Sequence, residues 1–348
     1  MKHLICLLTF ALLSSSTALA IDQPIPVRVV VVTMFESGAD SGDDAGEFQR
    51  WNERLPLSTV FPAPQMHHDI HFNEELGVLG IVTGMGTANS AANVMALGMD
   101  PRFDLSRAYW LVAGISGFDP ADASLGSVAW AEYLVDGDLA HQIDAREIPK
   151  DWNSGYFPLF SQGPNDPARK SYNLGEVFQL NSKLVNWAYE FTRQMELPDD
   201  PALAATRKLY PEYPIAQRKP FVLKGDQLAA MTFWHGEQLN TWANEWVRYW
   251  TDGKGEFVSS AMEDTGTFQS LTYLHNAGKV DKNRVLVLRT ASNFTLPPKG
   301  KSAADYLREE QHDSYAGLNA ALENAYRVGS AVVKELAQNW DRYGKATP

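Results

Sequence analysis

Short apolar runs rich in β-branched residues recur along the chain, several followed by glycine and some then by a stretch with helical spacing. Val27 to Met34 (VRVVVVTM) has no polar alternation, which predicts a strand buried on both faces. Leu76 to Thr83, Ala108 to Ala113, Val128 to Val135 and Arg284 to Thr290 read the same way. Between them, Glu47 to Leu55 and Ala88 to Leu97 have helical character, the second entered through Gly84-Met85-Gly86. Strand, glycine turn and helix in alternation predict an α/β fold: a central mixed, largely parallel sheet with helices on both faces. Trp152 to Lys219 differs in texture, broken by Asn, Pro, Tyr and Trp, with one helical stretch from Asn181 to Met195. It reads as an insertion over the sheet edge of a single domain spanning residues 21–348. Ser302 to Trp340 is helical, with Ser302 placed to cap at Asp305.

The first twenty residues stand outside this pattern. Lys2, an apolar run from Leu4 to Leu13, and small residues ending in Ala18-Leu19-Ala20 make Met1 to Ala20 a secretory signal peptide, with cleavage expected before Ile21. Cys6 is the chain's one cysteine and lies in that leader, so the mature protein has no thiolate chemistry and no disulfide. An exported chain without disulfides points to a bacterial periplasm. The rest has no apolar run long enough to span a bilayer. With 30 Lys+Arg against 42 Asp+Glu, the net charge of -12 disfavours a nucleic-acid polymer or an anionic membrane surface as partner.

In open α/β sheets ligands bind beyond the carboxyl ends of the strands. Five stretches sit there: Met34 to Glu47, Thr83 to Gly86, Gly114-Ile115-Ser116-Gly117, Ser260 to Gly266, and Ser292-Asn293. The glycines of GMGTAN do not make a phosphate loop, because the Lys and the spacing are missing. His67, His68, Asp69 and His71 form a separate cluster; on a strand, His67, Asp69 and His71 share a face and offer metal ligands, a lesser alternative.

Taken in order, VVVVTMFE, GEFQRW, GIVTGMGTANSAAN, WLVAGISGFDP with ASLGSVAWAEYLVDGD, SSAMEDTGTFQSL and VLRTASNF resemble the purine nucleoside phosphorylase and nucleosidase superfamily. The resemblance is strongest to its exported branch, the purine nucleoside permeases, and runs from Val29 to Phe294. It implies the phosphorylase/nucleosidase fold, a purine nucleoside as ligand and no cofactor, and it leaves a homo-oligomer open. Met262 and Glu263 match the pair that holds the ribose, a carboxylate accepting from sugar hydroxyls. Asn293 matches the residue facing purine N7; an amide there donates a hydrogen bond but cannot protonate the base, which inclines towards inosine- or guanosine-like ligands. Glu47 resembles the acid that positions water or a hydroxyl, with Glu36 competing because the loop is longer here.

The resemblance also assigns Met85, Ser116, Gly117, Ser292 and Arg289 to the ligand site. Gly225-Asp226-Gln227 resembles the turn ahead of the base-contacting segment, which favours Phe233 or Trp234 at the base; Phe268, Tyr156 and Trp152 are further aromatic candidates. Where phosphorylases carry an Arg and a Ser for phosphate, this chain has Val112 and Ile115, which offer no such donors. Hydrolysis is therefore expected over phosphorolysis, with a non-catalytic nucleoside receptor or uptake factor as the alternative.

Overall fold

The computed structural model describes residues 23–164, 166, 174–199, 201–313 and 315–348; the expected leader lies outside them. The first part of the chain runs β1 (Ile25–Pro26), β2 (Val29–Thr33), α1 (Gln49–Arg54), β3 (Thr59–Phe61), β4 (Ile70–Asn73), β5 (Val78–Val82), α2 (Thr87–Gly98), β6 (Phe103–Asp104) and β7 (Tyr109–Phe118). The middle adds β8 (Val128–Ala131), β9 (Tyr133–Asp136), β10 (Ala140–Gln142), β11 (Tyr156–Pro158), β12 (Val177–Gln179), α3 (Ser182–Thr192) and α4 (Pro201–Arg207). The last part carries β13 (Val222–Lys224), β14 (Asp226–Ala229), α5 (Glu237–Trp250), β15 (Phe257–Ala261), α6 (Asp264–Asn276), β16 (Val285–Phe294), α7 (Ala303–Asp313), α8 (Leu318–Gln338) and α9 (Trp340–Tyr343).

Among the described residues, twelve strands form one mixed sheet in the order β12-β9-β14-β15-β7-β2-β5-β4-β3, with β16 pairing β7 and β8, and β13 pairing β8. β2, β5, β7 and β16 run parallel at its centre. Their apolar runs are buried on both faces: Val29 to Val32 and Trp110 have no exposed surface. Each side chain of that size contributes roughly 1.5–3 kcal/mol by leaving water. α8 lies along β7, β16, β2 and β8 with α1 and α3 beside it, while α5 and α6 pack on β9 and its neighbours. The Trp152–Lys219 stretch supplies β12 as an end strand, antiparallel to β9, and α3 is capped by the Asn181 side chain.

Three expected elements differ. The run Val128 to Val135 is two strands, because the Asp226 carboxylate takes the amides of Glu132 and Tyr133 and turns the chain from one side of the sheet to another. Gly114 to Gly117 is strand, not turn: β7 runs through it, paired with β16 from Trp110 to Phe118. The carboxyl-terminal helical stretch divides into α7 and α8, with Ser302 Oγ accepting from the Asp305 amide at 3.1 Å.

Candidate functional site

One edge of β7 changes partner part-way along. β2 pairs with Tyr109 to Val112, running parallel, and β15 pairs with Gly117 and Phe118, running antiparallel. Between them the edge of residues 113–116 has no ladder partner, and β2 itself ends at Thr33. Two backbone amides are left over at this fork, and both find Glu47: Ile115 N donates to Oε1 at 2.7 Å and Met34 N to Oε2 at 2.8 Å. Buried amides are nearly always paired, so Glu47 completes the sheet as well as facing the cavity that opens there.

That cavity has a volume of about 280 Å³ and lies at the carboxyl ends of the parallel strands. Arg289, on β16, is fully buried beneath it. Its guanidinium donates to Asp264 at 2.9 and 3.1 Å, to Glu263 Oε2 at 3.0 Å and to the Ile115 carbonyl at 3.2 Å. Glu263 also accepts from Gly86 N at 3.0 Å and Met262 N at 3.2 Å. The first turn of α2 holds this corner: Thr87 Oγ1 donates to the Met262 carbonyl and Ser90 Oγ to that of Glu263. Gly86 enters α2 with φ +93, a conformation that suits glycine. Burial raises Glu263 above the ordinary carboxylate value, opposed by Arg289 and reinforced by Asp264. Burial pushes Glu47 up to about 7, with Arg289 pulling it down and Glu263 adding to the rise. The cavity thus holds a buried acid poised to exchange a proton near neutrality, beside a second carboxylate fixed by an arginine.

The walls are apolar. Phe233 stacks on Tyr315 with centroids 6.2 Å apart and planes at 13°, and Met34, Met85, Ile115 and Met262 complete the lining. At the far side Ser292 Oγ lies 2.9 Å from Asn293 Oδ1 and 3.1 Å from the Ser116 carbonyl, which orients the amide. Ser116 Oγ is buried without a partner.

The structure brings together Glu47, Met85, Ser116, Gly117, Phe233, Met262, Glu263, Arg289, Ser292 and Asn293 around this cavity. Glu36 is elsewhere: its carboxylate accepts the amides of Gly46, Phe48 (2.9 Å) and Gln49 (2.6 Å) at the head of α1, donors a helix start leaves unsatisfied. Trp234 faces a small recess behind Asn293 with Thr232 and Thr295, and packs on Trp242 and Phe257. Phe268, Tyr156 and Trp152 pack on Phe178, Trp242 and Phe157, away from the cavity. Of the histidine cluster only His71 is in a strand; the His67 amide bonds Asn93 Oδ1 and Asp69 Oδ1 takes the Ala63 amide, side-chain bonds that draw the run out of β4. Among the described residues no group of three His, Cys, Asp or Glu could hold a metal ion. Val112 is buried in β7, Ile115 lines the cavity, and Arg289 is the one cationic side chain among the described lining residues.

The chain matches the family model for Purine nucleoside permease (NUP) over residues 26–348. It belongs to the purine nucleoside permease family. A purine nucleoside permease of Candida albicans is 34% identical over 332 residues, covering 94% of this chain and 78% of that protein. A probable purine nucleoside permease of Schizosaccharomyces pombe is 29% identical, covering 81% and 82%. Among solved structures, the 5'-methylthioadenosine/S-adenosylhomocysteine nucleosidase of Neisseria meningitidis in complex with methylthio-immucillin-A superposes with a TM-score of 0.51, 14% identity, 88% of this chain and 99% of that one. Futalosine hydrolase of Helicobacter pylori gives 0.50, 12% identity, 89% and 98%. These likenesses are of fold: the phosphorylase/nucleosidase α/β architecture. As a purine nucleoside permease family member, the chain has among its described residues no helix long and apolar enough to cross a membrane.

Phe35, Ser260, Ala261 and Asp264 fall within the stretches singled out from sequence but had no role assigned; Tyr315 and Leu318 in the lining fell outside all of them. Gly317 was the available signal for Tyr315 and Leu318. A Cβ there would stand 2.6 Å from the Ser292 carbonyl, so this glycine lets the α7–α8 junction touch β16 at the site.

Proposed function

We propose that the chain binds a purine nucleoside in this cavity and cleaves its N-glycosidic bond with water. The observation that carries the reading is Glu47, buried, anchored by two amides and raised to about 7 beside the Arg289-bound Glu263. Each Glu47 oxygen accepts one amide and keeps a lone pair for a water. In the reaction that water's oxygen bonds to the anomeric carbon, its proton passes to Glu47, and the carbon–nitrogen bond breaks with its electron pair going to the purine. Asn293 donates a hydrogen bond to the departing base, whose charge is then quenched by a proton from solvent. Glu263 accepts from the sugar hydroxyls. Arg289 is already turned to two carboxylates and a carbonyl, which argues against phosphate as the nucleophile. A donor amide at Asn293, in place of an acid, favours a 6-oxopurine such as that of inosine. The leader-like Met1 to Ala20 supports export to a periplasm, checked by sequencing the amino terminus of the mature protein.

A second reading, a binding and uptake factor without catalysis, draws on the permease names of the relatives and on the amide at Asn293. Incubation with inosine separates the two. Free hypoxanthine and ribose, formed at the same rate with and without phosphate, are the expected products. Calorimetric binding with no free base in either tube overturns cleavage and leaves binding; phosphate-dependent ribose 1-phosphate overturns hydrolysis.

A further inference from the structure

The loop that delivers Glu47, from Phe35 to Phe48, is fastened near its ends and along its outer turn. Near its ends, Glu36 takes the amides at the head of α1 and Glu47 N donates to the Phe35 carbonyl at 3.0 Å. Its outer turn is fastened by Gly42 N donating to Glu53 Oε1 at 3.0 Å, by Gln49 Nε2 donating to the Asp43 carbonyl at 3.2 Å, and by Asp40. One carboxylate oxygen accepts from His68 Nδ1 at 2.7 Å, the other from His71 Nε2 at 3.0 Å. The Asp40 carbonyl accepts from Asn52 Nδ2 on α1 at 2.9 Å. His71, so oriented, meets the ring of Phe48 edge-on at 5.2 Å, and Phe48 adjoins Glu47. The histidine side is itself rigid, since His67 is tied to Asn93 on α2 and His71 lies in β4. Asp40 therefore links the loop to the β4 side through its carboxylate and to α1 through its carbonyl.

We infer that Asp40 is a positioning residue for Glu47: held between His68 and His71, it keeps the loop closed over the acid and so keeps bulk solvent away from Glu47, leaving the cavity side open to a single water. The charged groups around the two sites are consistent with this division. Glu47 is faced by Arg289 and Glu263, while Asp40 is faced by His68 and His71, with His67 beside His68. Burial works against the Asp40 charge, yet the bonds from His71 and His68 hold its carboxyl below the usual 3.8, so it stays a charged, two-handed acceptor. This gives the histidine cluster a use other than metal binding. The kinetic part of the inference rests on the proposed cleavage; the rest does not.

The test uses infrared titration of the full chain, with the protonated carboxyl band of Glu47 assigned by its loss in Glu47→Gln. In the unaltered chain the band is expected to titrate near pH 7. In Asp40→Ala it is expected to shift down by about one pH unit or more, as bulk solvent reaches the carboxylate. With inosine, kcat is expected to fall by about tenfold or more while KM stays within about threefold. His68→Ala, which removes one bond, should shift the band less, and Asp40→Asn, which keeps one acceptor oxygen, should restore most of kcat. A folded Asp40→Ala or His68→Ala chain with an unmoved band overturns the inference and leaves Asp40 a plain tether. If the unaltered chain cleaves no nucleoside, the band still decides, so failure of the cleavage reading and failure of this one are told apart.

Discussion

Glu47 and Glu36 share one loop and serve different ends. Replacing Glu47 by Gln is expected to lower cleavage of inosine by roughly 10²–10⁴-fold while calorimetry still shows nucleoside binding. Replacing Glu36 by Gln should lower kcat far less and cost about 0.5–2 kcal/mol of stability, read by denaturant unfolding, as for other helix-start acceptors. Because Glu47 acts as its carboxylate, kcat should fall as pH drops below about 7. Stability runs the other way. The folded value of about 7 lies above the unfolded 4.5, so the folded chain binds the proton more tightly. Its contribution is complete below the unfolded value and is lost as pH rises through 7. Glu47→Gln should therefore gain on the unaltered chain between about pH 5 and about pH 8, by on the order of 1–3 kcal/mol in urea unfolding. Choosing between the two acids was within reach of sequence only through resemblance. The deciding fact is which amides the fork leaves unpaired, and that depends on strand partners far away in the chain.

At the level of elements, Gly114 shows why a glycine-rich stretch can be strand. A Cβ on it would meet Met34 Cε at 2.0 Å, Glu47 Oε1 at 2.5 Å and Arg289 Nη1 at 2.6 Å, so three site residues close over its bare backbone. Gly114→Ala is expected to destabilise by about 1–3 kcal/mol through overpacking and to abolish cleavage, measured by thermal unfolding and product assay. Arg289 ties β16 to the start of α6 and to Glu263. Arg289→Met leaves two buried carboxylates uncompensated and should cost roughly 3–5 kcal/mol in denaturant unfolding. The strands themselves were legible, since a run such as VVVVT carries its burial in its composition. The breaks were not: the one at Glu132 is made by Asp226, a contact across 94 positions of sequence.

For the molecule as a whole, an acidic chain has gathered its site around one cation that is already spoken for. An uncharged ligand is the natural occupant. Inosine at about a hundred times its Kd should add about 2.7 kcal/mol to stability, read as a rise in Tm, whereas inosine 5'-monophosphate at the same concentration should raise Tm less. The order of motifs along the chain was enough to read the fold and its family; the loop fastenings that complete the site were not visible until β4 and α1 were set side by side.

The fork in β7 has one more consequence. Met34 and Ile115 carry backbone amides whose hydrogen bonds end on a titrating oxygen instead of a carbonyl. Their proton resonances should move downfield as Glu47 loses its proton, so two ordinary peptide groups serve as a built-in meter of the charge at the centre of the cavity.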